Sequence, residues 1–368
     1  MNKIIYKELI AFHPGYYIKD LIDELGMTQD ELAKRLGSSG KNISDLINGK
    51  CNLSDEMALK LSIVFGTTID MWLNLNKTFI SKKLEIEKRI LEDEQCELIK
   101  YIDYNFGVNL KLVKQARKST EKVRELQKYF KVSSLDVLKR HDFLVQCRTA
   151  VAQIQDINVI NANAWIQTAI NIGNNIDVDD FNIKKLKSIL PDIRKMTTQS
   201  PDIFYPELKS KLASCGVALV LLPNLKNCGV NGAVKWISKE KVILAINDRR
   251  KYADTFWFSL FHELGHVLQQ RVKILIISEE NDILEQDELM QRLEEDADSF
   301  SQNMLIPESN YNEFVKQHTQ FSKYDIVNFA KSIDIHPGIV LGRLQKENYI
   351  SYKTTLNSLK TKYHVVQL

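Results

Sequence analysis

The strongest constraint on this chain is a five-residue run, His262-Glu263-Leu264-Gly265-His266, set in an apolar stretch. Two histidines four apart on a helix project from one face, one turn apart, and can grip a single zinc ion. Phe256-Trp257-Phe258-Ser259-Leu260-Phe261 before it and Val267-Leu268 after it supply the positions that bury such a helix, so the pattern predicts a helix over 254–270. Gly265 in the helix interior costs about 1 kcal/mol relative to alanine, which implies that something passes close to the backbone there.

A catalytic zinc needs a third protein ligand and an open position for water. Glu294 is the best candidate, at the head of Glu294-Glu295-Asp296-Ala297-Asp298-Ser299-Phe300, within a second helix predicted over about 287–304. Asp298 lies four residues on, on the same face, placed to accept a hydrogen bond from the outer nitrogen of a ligating histidine. Glu295 and Asp296 are weaker alternatives, because they point elsewhere when Glu294 points inward. Glu263 would then be the general base that takes a proton from a zinc-bound water as it attacks a peptide carbonyl. No residue stands out as the oxyanion stabiliser. The plain alternative is that both histidines are merely packed.

At 368 residues the chain is too long for one comfortable core, and its 44% hydrophobic and 26% charged composition is that of a globular protein rather than a disordered or fibrous one. No apolar run reaches the roughly 18 to 20 residues that span a bilayer, and Met1 to Lys7 is not followed by a signal-peptide core, so a cytoplasmic protein without a membrane role is expected. Five scattered cysteines (Cys51, Cys96, Cys147, Cys215, Cys228) contain no C-x-x-C pair, which argues for reduced, structural thiols and against a thiolate zinc site. The net charge of +3 gives no strong hint of a polyanionic partner.

The expected fold is mainly α with a small β-sheet (α+β), in three parts. Residues 1–76 read as an all-α helix-turn-helix domain of about five helices, 77–200 as a helical connector, and 201–368 as a zincin-like domain with a three-stranded sheet. The strands are read from the β-branched runs 216–222, 232–237 and 241–246, bounded by turn residues. In the connector, Leu84, Leu91 and Leu98 recur at seven-residue spacing, which suits a helix that packs on its neighbours or dimerises.

In the first part, Thr28-Gln29-Asp30-Glu31 has the form of a capping box, so a helix should start at Gln29 and end at Gly37. A second helix should follow Ser39. With small Ala33 at the crossing and Ile43 and Leu46 inward, the pair makes a helix-turn-helix. Its candidate DNA contacts are Gln29, Ser39, Lys41, Asn42, Ser44 and Asp45, with a basic edge from Lys34, Arg35, Lys41 and Lys50. Against this, the first 76 residues carry eight Lys/Arg and ten Asp/Glu, a net of −2, poorly suited to phosphate neutralisation. A helical module that binds only protein is the competing reading.

Pro14-Gly15, the Thr28 to Ala33 helix, Ile47-Asn48-Gly49-Lys50 and Met71-Trp72-Leu73-Asn74 together resemble the Cro/repressor-type helix-turn-helix family, and more closely the HigA-like antitoxins. Residues 262–266, Glu294 to Asp298, Met304-Leu305-Ile306-Pro307 and Ile335 to Gln345 resemble the ImmA/IrrE metallopeptidases. Asp296 and Asp298 stand where relatives often have Glu and Asn, and Gly40 and Asp45 where many carry longer polar or basic side chains. The two resemblances imply a regulator that binds operator DNA as a homodimer, counters a cognate toxin, and carries a gluzincin-like zinc peptidase cutting a partner protein or itself. The alternative is an antitoxin whose peptidase-like domain only senses or grips a partner, which intact Glu263 disfavours because a retired enzyme has no need of its base. His336 is read as fixing a turn before Pro337-Gly338, and His13, His141, His318 and His364 as solvated or packed.

Overall fold

The computed structural model describes residues 2–140, 156–247, 252–270 and 283–363, so His141, Cys147 and His364 lie outside the described residues. The chain forms two compact units: Met1–Ile99 with Ala116–Glu125, and Lys100–Gln115 with Leu126–Leu368.

The first unit opens on an antiparallel hairpin, β1 (Lys3–Tyr6) and β2 (Leu9–Phe12), paired from Lys3↔Phe12 to Tyr6↔Leu9. This corrects the all-α expectation for the N-terminus. The two-residue turn Lys7-Glu8 has no glycine, asparagine or aspartate to announce it, and Lys7 takes a left-handed φ of 53° instead. Five helices follow as expected: α1 (Pro14–Glu24), α2 (Gln29–Arg35), α3 (Gly40–Ile47), α4 (Asp55–Phe65) and α5 (Ile69–Gln95). Thr28, Ser39, Ser54 and Thr68 each cap a helix by accepting from the backbone N–H three residues on. The capping box at Thr28 is one-sided, because the Glu31 carboxylate accepts from Arg35 at 2.7 Å instead. Gly15 lies against the backbone carbonyls of Leu46 and Ile47, where a Cβ would overlap both. Ile18, Leu32, Ile43, Leu61 and Trp72 fill the core, and the hairpin packs on Phe79 and Ile86 of α5. Residue 76, the expected end of the domain, lies inside α5, which continues for another five turns.

Past α5 come α6 (Tyr104–Asn109), α7 (Ser119–Phe130), α8 (Asp156–Asn174), α9 (Ile183–Lys195) and α10 (Pro201–Ala213). The sheet consists of β3 (Val217–Leu222), β4 (Gly232–Trp236) and β5 (Val242–Asn247), in the order β3-β5-β4. β3 runs parallel to β5 and is buried along its whole length, as is β5, while β4 is the antiparallel edge strand. Then come α11 (Ala253–Gln269), α12 (Ile283–Leu305), α13 (Glu308–Gln317), α14 (Lys323–Ser332) and α15 (Pro337–Lys346). Trp257, Leu260, Phe261 and Leu264 of α11 share one core with the sheet, α10 and α15. Leu186, Leu190 and Ile193 of α9 belong to that core too, so the packing does not break at residue 200 where the connector was expected to end. Overall the protein is mainly helical with small sheets, and among the described residues no helix is long and apolar enough to cross a membrane.

Candidate metal centre and helix-turn-helix

α11 and α12 lie antiparallel, and their contacts step along both helices in register. Ser301 Oγ donates to the Phe258 carbonyl at 2.9 Å, and Gln269 Nε2 donates to the Leu293 carbonyl at 2.8 Å. Between these ties a Cβ on Gly265 would meet Ala297 Cα at 3.2 Å and Phe300 at 3.3 Å. The close passage expected at Gly265 is therefore that of α12. It brings Glu294 opposite the two histidines.

His262 Nε2 and His266 Nε2 stand 3.0 Å apart, and Glu294 Oε2 lies 3.3 Å from the first and 3.4 Å from the second. In a tetrahedral zinc site with bonds near 2.0 to 2.2 Å, neighbouring ligand atoms are about 3.3 to 3.5 Å apart. The donor triangle has nearly that size. Among the described residues this is the one trio of histidine, cysteine or carboxylate side chains with donor atoms so clustered.

The outer nitrogens decide what the inner ones present. His262 Nδ1 lies 2.8 Å from Asp298 Oδ1, an acceptor only, so Nδ1 carries the hydrogen. His266 Nδ1 lies 2.9 Å from Gln269 Oε1. Because Gln269 gives its amide N–H to Leu293, its oxygen must face His266, and Nδ1 again carries the hydrogen. In the neutral tautomers both Nε2 lone pairs then converge on a carboxylate oxygen, an arrangement that requires a cation or a proton between them. Without a metal it takes a proton: burial lowers the His262 pKa, but hydrogen bonds to Asp298 and Glu294 outweigh it and push the value up to about 10.

Glu263 is buried beside this trio and wedged against the first residue of β4, where a Cβ on Gly232 would come within 2.6 Å of Glu263 Cγ and Oε1. Sequence reasoning missed both Gly232 and Gln269. One is a glycine 31 positions away, and the other a polar residue at a helix end. Glu295 and Asp296 are exposed and outside the cluster. His336 and His13 each accept the backbone N–H two residues on, capping α15 and α1 in matching His-Pro-Gly turns. His318 packs beside Phe314, and the four described cysteines are free thiols.

In the first unit, α2 and α3 form the expected helix-turn-helix, with Ala33, Ile43 and Leu46 buried. Lys41 and Asn42 are exposed on α3, Ser44 and Asp45 are half-buried, and Gln29 is half-buried at the start of α2. The Ser39 hydroxyl is engaged in capping, accepting from the Asn42 N–H at 3.1 Å. The basic edge is partly neutralised, since Arg35 pairs with Glu31 at 2.7 Å and Lys50 with Asp45 at 3.7 Å. That leaves Lys34 and Lys41 without an ion pair among the described residues.

Comparison with known proteins matches a helix-turn-helix family profile at residues 18–72 and the IrrE N-terminal-like domain of the peptidase M78 family at residues 229–344. The chain is 39% identical over 66 residues to the uncharacterized HTH-type transcriptional regulator YddM of Escherichia coli K12, covering 18% of this chain and 70% of that protein. It is 40% identical over 68 residues to virulence-associated protein A' of Dichelobacter nodosus, covering 18% of this chain and 59% of that one. An addiction module antidote protein of a HigA family from Coxiella burnetii is a solved structure at 30% identity, covering 23% of this chain and 94% of that chain with a TM-score of 0.21. The helix-turn-helix and IrrE-like resemblances read from the residues are thus each matched over their own segment.

Proposed function

The chain belongs to the helix-turn-helix transcriptional regulators through its N-terminal unit and carries an IrrE-like peptidase domain, and from that premise we propose a cytoplasmic, antitoxin-like regulator with a working zinc peptidase. It binds operator DNA as a homodimer, answers to a cognate toxin, and cuts a partner protein or itself. The observation that carries the enzymatic half is the donor triangle of His262, His266 and Glu294 with buried Glu263 alongside.

His262, His266 and Glu294 would hold the zinc. When bound, the metal acidifies a water and polarises the scissile carbonyl. Glu263, buried beside the three ligands, would serve as the group that accepts and hands on a proton in such a site. Its position depends on the space left by Gly232, which lets the carboxylate lie under the edge strand. Asp298 and Gln269 keep both histidines in the tautomer that offers Nε2 inward. In the DNA-binding half, Lys41, Asn42, Ser44 and Asp45 of α3 face the major groove, with Gln29 and Ser39 at the helix starts.

Two variants test the halves separately. Glu263→Gln keeps its zinc and loses cleavage of any partner that accumulates uncut beside it; retained cleavage removes Glu263 from the base role. Lys41→Ala with Asn42→Ala abolishes binding to DNA upstream of the chain's own gene without unfolding the domain, and undiminished binding rejects α3 as the reading surface.

A further inference from the structure

The positive charge of the chain is concentrated outside the helix-turn-helix. Residues 1–76 carry a net charge of −2, whereas 111–131 hold eight Lys/Arg and two Glu, a net of +6, against +3 for the whole chain. Of those eight, Arg124 is engaged, donating from Nε and Nη2 to the Glu92 carboxylate at 2.7 and 2.6 Å. Lys111, Lys114, Arg117, Lys118, Lys128 and Lys131 are exposed and have no ion pair among the described residues. The packing explains why they reach solvent. Val123, Leu126 and Phe130 of α7 are buried, as are Val113 and Ala116 on the way into it, so every exposed residue from 111 to 131 is polar or charged. Lys128 and Lys131 suit the negative C-terminal end of the α7 dipole. Arg117 and Lys118 stand just before its first residue, Ser119, where the dipole disfavours a cation, so stabilising the helix does not account for them.

We propose that the exposed cations of residues 111–131 bind the phosphate backbone of double-stranded DNA, as a sequence-independent contact separate from α3. The choice of polyanion rests on the DNA-binding reading of the chain. The character of the surface supports that choice. Its apolar side chains face inward, leaving none exposed to enter a bilayer and no exposed aromatic ring to stack on unpaired bases. What remains is neutralising charge on a polar face, which is what the phosphates of a duplex require. The segment also supplies what the helix-turn-helix is short of, because Arg35 and Lys50 on its basic edge are paired with Glu31 and Asp45. In this division of labour α3 selects the sequence and residues 111–131 add affinity that is blind to sequence.

Fluorescence anisotropy of the full chain on a labelled duplex of arbitrary sequence, titrated between about 50 and 200 mM salt, tests this. Each neutralised phosphate contributes about 0.9 to the slope of log affinity against log salt. The triple variant Lys114→Gln, Arg117→Gln, Lys118→Gln should flatten that slope by about 2.7 and weaken binding at about 50 mM salt by about tenfold or more. Circular dichroism should match the wild type, since none of the three side chains is buried. A control removes the same charge elsewhere: Lys184→Gln, Lys187→Gln, Lys195→Gln on α9, where all three are exposed and without an ion pair among the described residues. The control should leave the slope unchanged, which separates a local contact from an effect of net charge. An unchanged slope in the first triple variant, an equal change in the control, or a wild type that binds no duplex at about 50 mM salt overturns the proposal. So does binding to single strands or to phosphatidylserine vesicles in place of the duplex. The α3 reading fails separately. If Lys41→Ala with Asn42→Ala leaves binding upstream of the chain's own gene undiminished while the first triple variant flattens the slope, α3 is rejected and the 111–131 surface is supported.

Discussion

Replacing Gln269 by leucine probes how far the metal centre depends on groups that never touch the metal. The substitution keeps the side-chain volume and removes two hydrogen bonds, the 2.9 Å contact to His266 Nδ1 and the 2.8 Å tie to the Leu293 carbonyl. His266 is then free to carry its proton on Nε2, the atom that must point a lone pair inward. Leu293 precedes Glu294, so the same change also loosens α12 where the third ligand sits. Loss of an outer partner of this kind weakens metal affinity by about 10- to 100-fold, or about 1.4 to 2.7 kcal/mol. Gln269 makes a neutral hydrogen bond, whereas Asp298 makes a charge-assisted one at 2.8 Å to His262. Gln269→Leu should therefore fall toward the tenfold end and Asp298→Leu toward the hundredfold end. Gln269→Glu, which keeps an acceptor for His266 but loses the donor to Leu293, should lie between wild type and the leucine variant. Competition with a chromophoric chelator reads these affinities directly, with circular dichroism verifying the fold. Zinc affinity in Gln269→Leu equal to wild type, with helix content unchanged, would refute the tautomer argument.

Two further predictions follow from the same geometry. Gly232→Ala drives a methyl group into Glu263 and should cut peptidase turnover by about 10²-fold or more with zinc content unchanged, because it moves the base and not the ligands; turnover equal to wild type removes the glycine from the account. In the metal-free protein, the His262 pKa is raised from 6.5 to about 10, so its contribution to stability is complete below pH 6.5 and is lost as pH rises through about 10. Thermal melts in excess chelator should show the gap between wild type and His262→Gln shrinking across that window, and a gap that widens contradicts the assignment.

Much of the architecture was legible because the chain marks it locally. Thr28, Ser39 and Gly37 bracket the two helices of the helix-turn-helix where capping chemistry predicts, and the three β-branched runs became β3, β4 and β5 within a residue. His262 and His266 are readable because their spacing is a property of one helix, and Glu294 and Asp298 share a helix in the same way. The hairpin of β1 and β2 was not readable, since Lys7-Glu8 carries none of the residues that favour a tight turn and the burial that stabilises it comes from Phe79 and Ile86, about seventy positions away. Glu31 has the right spacing to close a capping box, yet Arg35 one turn on competes for its carboxylate and wins. Gly232 and Gln269 escaped for a related reason: their importance lies in what packs on them across the fold, Glu263 in one case and His266 with Leu293 in the other.

The central claim is that α11 and α12 build a zinc site. It is tested most directly by the metal content of the full chain, purified without a histidine tag or chelator, for wild type beside His262→Ala. The account predicts about one zinc per chain in the wild type and none in the variant. No zinc in either protein, even after zinc is added back, would contradict it and leave the C-terminal unit as a binding scaffold attached to a DNA-binding domain.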